Sequence, residues 1–218
     1  MSITNMYLDK EVKYFKEVRH DIIDIVPKGE NCILEVGCGS GATLLTLKEI
    51  GKANFIMGID IIEFEEQKKL DKFIMGDIET IDVSNYQDYF DVIICADVLE
   101  HLKDPWETTK KLANCLKPDG ILVASIPNIR EISTIYKIVV KGDFKYEDSG
   151  ILDKTHLRFF CKKNVLQLFK NADLEVEQIK PSFLFWEARG KRYWVNKLTF
   201  NFFHEFFTPQ FLVVARKK

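Results

Sequence analysis

Short apolar runs and amphipathic stretches take turns along this chain, and their alternation predicts its architecture. Aliphatic and β-branched residues cluster at positions 32–36, 55–59, 73–75, 91–95, 121–125, 174–179 and 211–215, which read as seven strands. Several of these runs are apolar at successive positions rather than at every second one, the mark of strands covered on both faces, as parallel sheets require. Amphipathic spacing between them predicts helices at 10–25, 42–50, 105–116, 129–140 and 163–171, with Pro105 in a first turn. Pro118-Asp119-Gly120 is turn chemistry that closes a helix and starts the next strand. Strands and helices alternating without repeats or low-complexity linkers predict a doubly wound α/β sheet in one domain, residues 1–218.

The most informative local pattern is ILEVGCGSG, residues 33–41. A buried strand runs into Gly37, Gly39 and Gly41, which let the backbone take positive φ and approach a ligand closely before a helix opens near Ala42. The spacing is G-x-G-x-G, not the dinucleotide pattern G-x-G-x-x-G, and Glu35 stands two residues ahead of the first glycine. A carboxylate there repels a pyrophosphate and attracts an ammonium or a sulfonium. A short-chain NAD-dependent enzyme is also disfavoured because Tyr136 and Lys137 are adjacent rather than one helical turn apart.

On these residues the chain resembles the class I S-adenosylmethionine-dependent methyltransferases, whose first motif reads E/D-x-G-x-G-x-G. The likeness implies a Rossmann-like, seven-stranded, mostly parallel sheet with an antiparallel C-terminal strand, and S-adenosyl-L-methionine as cofactor with S-adenosyl-L-homocysteine as product. In an open α/β sheet the ligand sits beyond the carboxyl ends of the strands. Asp60 ends the second strand, where a carboxylate can accept both ribose hydroxyls, with Ile61 beside it. By resemblance, Asp77 accepts the adenine amino group, Ile78 offers a backbone amide and an apolar surface, and Asp97 lies beside the methionine portion. An N-terminal helical cover, residues 1–30, would bring Tyr14 and Arg19 to the methionine carboxylate, for which arginine's paired donors are suited.

Methyl transfer from a sulfonium mainly needs alignment and exclusion of water, and no metal is expected. An alcohol acceptor must also lose a proton, which a histidine in reach assists. Two histidines are candidates: His101, in the loop after the fourth strand, and His156, in GILDKTHLRFF. The T-H-L-R-F-F pattern resembles an element of methyltransferases found with glycosyltransferases in polysaccharide pathways. Arg158 could bind an acceptor phosphate or carboxylate or else pair with a carboxylate such as Asp153, and Tyr146 lies on a non-periodic stretch, 142–153, that reads as a mobile lid or acceptor loop. Residues 142–160 and 181–208 are expected as acceptor-side insertions, the second rich in aromatics that mostly pack a helix against the sheet.

Composition adds limits. The 218 residues are 46% hydrophobic and 29% charged, enough for one sizeable core. A net charge of −2 and a pI near 6.1 argue against nucleic acid as a partner. Positions 180–218 nevertheless hold eight Lys/Arg against two Asp/Glu, which leaves room for peripheral membrane contact or a phosphorylated acceptor. No apolar stretch reaches bilayer length and the start lacks a secretory core, so a cytoplasmic protein is expected. The five scattered cysteines read as reduced thiols. The expected partner is a small-molecule methyl acceptor of the sugar, nucleotide-sugar or glycan-precursor class. The competing reading is a catalytically silent cofactor-binding protein acting through another protein.

Overall fold

A computed structural model describes residues 17–181, 198 and 203–218. Within them the strands are β1 (Asn31–Val36), β2 (Ala53–Asp60), β3 (Lys72–Met75), β4 (Phe90–Ala96), β5 (Leu116–Pro127), β6 (Leu174–Pro181) and β7 (Gln210–Lys217). They form one sheet in the order β3-β2-β1-β4-β5-β7-β6. The first five are parallel, whereas β7 runs antiparallel between β5 and β6. The chain therefore builds outward from β1 to β3, returns to β4, and builds the other way. That reversal opens a crevice above the tips of β1 and β4.

Alternate residues of each strand feed two cores. Leu34, Met57, Ile93, Leu122 and Val213 pack on one face, and Ile33, Ile56, Val92, Val123 and Leu212 on the other. Neither face of the central strands meets water, which explains their near-continuous apolar runs. Helices α1 (His20–Ile23), α2 (Ala42–Glu49), α3 (Pro105–Cys115), α4 (Ile132–Ile135) and α5 (Lys162–Lys170) connect or flank the strands. Asp104 caps α3 by accepting from the Glu107 amide at 3.0 Å, with Pro105 in the first turn. Cys38, Cys95 and Cys115 are buried, and burial pushes the Cys115 thiol up to about 11.

Three expectations need correction. The helix expected at 10–25 is, in its described part, only the single turn of α1. Arg19 is non-helical because its N–H donates to Thr43 Oγ1 and its side chain reaches across the crevice; residues 10–16 lie outside the described residues. The fifth strand begins at Leu116, ahead of the 118–120 turn, which bulges out of the strand. Phe90 pairs with Leu116 and Val92 next with Ile121, since Pro118 has no N–H to donate and Asp119 takes φ 63°. The helix expected at 129–140 starts at Ile132, where the Glu131 side chain accepts from the Ser133 and Thr134 amides, and widens into a π-helical turn at Tyr136–Val140. No helix among the described residues is long and apolar enough to cross a membrane.

Candidate active site

The first wall of the crevice is the glycine turn. Gly37, Gly39 and Gly41 take φ of 69°, 52° and 80°, and Gly41 opens α2. At Gly37 the need is double, because a Cβ there would lie 2.6 Å from Val98 Cγ2 on the loop after β4. The turn is pinned from β2: Asp60 Oδ2 accepts the Gly39 amide at 2.7 Å and its Oδ1 accepts the Ile62 amide at 2.9 Å. Buried Gln67 supports it from behind, donating to the Gly39 carbonyl at 2.6 Å.

Asp60 thus does more than the sequence indicated. Both oxygens already hold backbone amides, yet each keeps a second lone pair for a ligand hydroxyl. Ile61 follows it, half-buried. Asp77 shapes its own loop, with Oδ1 accepting the Glu79 amide at 2.9 Å, and the Ile78 side chain is buried beside it. Burial raises the Asp60 pKa against the pull of its amide donors.

Glu35 lies at the centre, buried near the tip of β1. Burial pushes its carboxyl up to about 8, with the Arg19 guanidinium opposing and the Asp60 charge adding. Its Oε2 has no hydrogen-bond partner among the described residues. A buried oxygen of that kind costs free energy until a donor reaches it; an ammonium group would supply that donor, and the positive charge of an ammonium or a sulfonium would draw the carboxyl back to its ionised form. The donor set therefore suits a nucleoside carrying a cationic tail.

Arg19 reaches this site, but its fork is engaged by the protein's own acids. Nε and Nη2 donate to Asp21 at 3.0 Å each, Nη1 to Asp97 at 2.6 Å, and Nη2 also to Ser125 at 3.1 Å. Burial alone would lower the guanidinium pKa; the bonds to Asp21 and Asp97 outweigh it and raise the value. Asp97 takes φ 56° and also accepts from Gln210 at the start of β7. Arg19 thereby ties the N-terminal segment to the tips of β4 and β5, a role the sequence reading did not foresee. Tyr14 lies outside the described residues.

On the other side of the tip of β4, the two candidate histidines meet. Their ring centroids are 4.7 Å apart, edge to face. The backbone brings them together, for the Leu157 and Arg158 amides both donate to the Glu100 carbonyl, at 2.8 and 2.9 Å. Asp153 caps the turn before His156, accepting from the Thr155 amide at 2.8 Å and its hydroxyl at 2.6 Å. Arg158 does not pair with Asp153: its guanidinium lies over Trp106 and donates to the Lys103 and Leu157 carbonyls.

Tyr146 joins the same wall through Phe144 and Phe159, and Phe159 lies 6.5 Å from His156. The stretch 142–153 is closed on itself, since the Glu147 amide donates to Leu152 and the Lys154 amide to Glu147. Lys137 adds an ion pair to Glu147. These bonds tie Glu147, in the middle of the stretch, to its end and to Lys137 before it. Phe203, Phe206 and Phe207 of the aromatic-rich segment group together, with Arg130 over Phe206; residues 183–197 and 199–202 lie outside the described residues.

Sequence reasoning missed Gln67, Asp21, Ser125, Gln210 and Glu100. All but Asp21, which pairs with Arg19 two residues before it, gain their roles from partners distant in the chain. Gly58 is required by packing: a Cβ there would meet Cys38 Sγ at 2.6 Å and Leu70 Cδ1 at 2.8 Å.

Comparison with known proteins bears on the family and the fold. A family described as "Methyltransferase domain" matches residues 10–179. The ubiquinone biosynthesis O-methyltransferase of Neisseria meningitidis serogroup C is 29% identical over 158 residues, 68% of this chain and 65% of that protein. The protein of the same name from Rickettsia bellii is 25% identical over 188 residues, 82% of this chain and 73% of its own. The chain thus spans just under two thirds of the Neisseria relative. Among solved structures, an S-adenosylmethionine-dependent methyltransferase from Mesorhizobium loti superposes with a TM-score of 0.62 at 17% identity, covering 96% of this chain and all of that one. One from Archaeoglobus fulgidus gives 0.61 at 17% identity over 94% and 97%. These two likenesses establish the fold.

Proposed function

Because the chain belongs to the methyltransferase-domain family, we propose that it moves a methyl group from S-adenosylmethionine to a hydroxyl of a small ring-bearing acceptor. A sugar, nucleotide sugar or glycan precursor is one acceptor class, and an intermediate of ubiquinone biosynthesis, the process named for the two relatives, is the other. When bound, S-adenosylmethionine supplies an electrophilic methyl on a sulfonium, whose sulfur keeps the bonding electron pair and leaves as the thioether of S-adenosylhomocysteine.

The observation that carries this reading is Glu35: a buried carboxyl with one oxygen lacking a hydrogen-bond partner among the described residues, at the switch point of the sheet. In this reading Glu35 faces the cationic end of the cofactor, Asp60 takes the ribose, and Asp77 with Ile78 borders the adenine. Gly37, Gly39 and Gly41 let the backbone come close, while Asp97 and Arg19 form the wall at the methionine end. Residues 1–30 cover the cofactor, and 142–160 and 181–208 form the acceptor side.

Transfer to oxygen is favoured by the imidazole pair. His101 and His156 stand beyond the tip of β4, where an acceptor O–H must lose its proton as the new C–O bond forms. The names of the two relatives, both O-methyltransferases, support the same atom. Phe144, Tyr146 and Phe159 offer ring faces for a flat or ring-shaped acceptor.

Calorimetry with S-adenosylhomocysteine tests the cofactor assignment directly. The full chain is expected to bind it, and Asp60→Asn to weaken binding by about 1.5–3 kcal/mol, the range for hydrogen bonds to a charged group. An unchanged Kd removes Asp60 from the site, and no binding by the wild-type chain overturns the proposal. Labelled cofactor incubated with fractionated cell extract identifies the acceptor.

A further inference from the structure

The Glu100, His101 and His156 side chains form a cluster that a pair of general bases does not explain. One donor atom from each lies within 4.8 Å of a donor atom from both others. Glu100 is 1% exposed and His156 8%, while His101 is half-buried and gives the cluster an approach from outside.

Hydrogen bonding fixes the tautomers. His101 Nδ1 lies 3.1 Å from the Thr155 carbonyl, and His156 Nδ1 lies 2.9 Å from the Ile151 carbonyl. A carbonyl only accepts, so each Nδ1 carries the hydrogen and, in the neutral ring, each Nε2 carries the lone pair. Imidazoles that ligate metals are oriented in this way, one nitrogen donating to a backbone carbonyl while the other faces the ion. His156 Nε2 is 4.0 Å from Glu100 Oε1. The scaffold is firm, because the loop bearing His156 is bonded to the Glu100 carbonyl itself.

We propose that Glu100, His101 and His156 bind a divalent first-row transition ion, with Zn2+ as the reference case, and that this ion handles the acceptor hydroxyl. Two imidazoles and a carboxylate favour such an ion over Mg2+ or Ca2+, which take all-oxygen sites. Three protein ligands leave a fourth position for water or substrate. Ligands about 2.0–2.1 Å from a tetrahedral ion stand about 3.3 Å apart, so loading draws this cluster inward by about 1 Å. A hydroxyl on the ion is acidified: its O–H proton passes to solvent, the C–O bond forms, and the S–C bond breaks with its electron pair left on sulfur. The histidines then act as ligands rather than as the proton acceptor.

This inference rests on the methyl-transfer reading for its role, and one set of titrations separates the two. Chelator-stripped full-length protein is titrated with Zn2+, with Mg2+ and with S-adenosylhomocysteine by calorimetry, and with Co2+ by visible absorption. One Zn2+ per chain is expected, with little Mg2+ binding and a Co2+ spectrum of a low-symmetry site. His101→Gln, His156→Gln and the isosteric Glu100→Gln are each expected to weaken Zn2+ binding roughly 100-fold or more, with the fold of each variant checked by circular dichroism. Zinc binding that is absent, or indifferent to the substitutions in folded variants, overturns the metal site even if S-adenosylhomocysteine still binds. Full methyl transfer by stripped enzyme without added ion overturns it too. Failure to bind S-adenosylhomocysteine in the same samples counts against the methyl-transfer reading instead.

Discussion

Glu35 shows how one buried side chain ties stability to function. Its carboxyl sits near 8 in the folded chain and at about 4.3 when unfolded. Between those values the native state keeps a proton that the unfolded chain has released. Stability from this group is therefore undiminished below about pH 4 and falls as pH rises toward 8, by several kcal/mol in order of magnitude. Glu35→Gln is neutral throughout and removes that slope. Urea denaturation is expected to show little difference between the two proteins at pH 5 and a more stable variant at pH 8.5, while the variant loses affinity for the cationic cofactor. Parallel stability curves across this range would mean that Glu35 is ionised in the fold. The residue was legible in the sequence as an acid two positions before a glycine turn; that its Oε2 has no hydrogen-bond partner among the described residues was not, because that depends on what the fold leaves around it. Arg19 is the converse case. Its expected partner was a ligand, but Asp21, Asp97 and Ser125 surround it, and nothing local in the chain announces partners 78 and 106 residues away.

At the scale of elements, the loops after β1 and β4 pack so closely that each fixes the other. Gly37→Ala places a side chain at φ 69° and 2.6 Å from Val98 Cγ2. The left-handed backbone costs about 1–2 kcal/mol and the overpacking about 1–3 kcal/mol. Adding Val98→Ala relieves the second cost and leaves the first. A double-mutant cycle by urea denaturation should therefore show positive coupling of about 1 kcal/mol or more, and strict additivity would mean that the loops do not touch as described. The central strands were readable because two-sided burial writes continuous apolar runs into the chain, and the edge strands β3 and β6, which are less buried, from shorter apolar or alternating runs. The bulge at 117–120 and the π-helical turn at Tyr136–Val140 were not, since both are adjustments to neighbours rather than changes of hydrophobic period. The meeting of His101 with His156 was half-legible: each was marked by its place beside a strand tip, but their contact depends on the backbone bonds to Glu100.

The whole sheet explains why a ligand at the crevice should act on the molecule as a unit. Its strand order divides the chain into a half carrying β1–β3 and a half carrying β4–β7, and the proposed cofactor touches both: Gly37, Asp60 and Asp77 from one, Asp97 from the other. A ligand that binds only the folded chain adds about 2.7 kcal/mol at one hundred times its Kd, which for a domain of this size raises Tm by roughly 5–10 °C. The gain should also have a location. Hydrogen exchange with saturating S-adenosylhomocysteine is expected to slow at the amides of Gly39 and Gly41 and in the loop from Asp97 to His101. Asp91 and Asp119, at the opposite ends of the strands, should exchange at unchanged rates beyond the small global shift. The two halves differ in degree, because the Gly39 amide is bonded to Asp60 at 2.7 Å whereas the left-handed Asp97 gives its amide to the Ser125 carbonyl at the longer distance of 3.2 Å. Slowing should consequently be larger after β4 than in the glycine turn, and protection confined to one half, or centred on the opposite rim, would place the ligand elsewhere than the switch point.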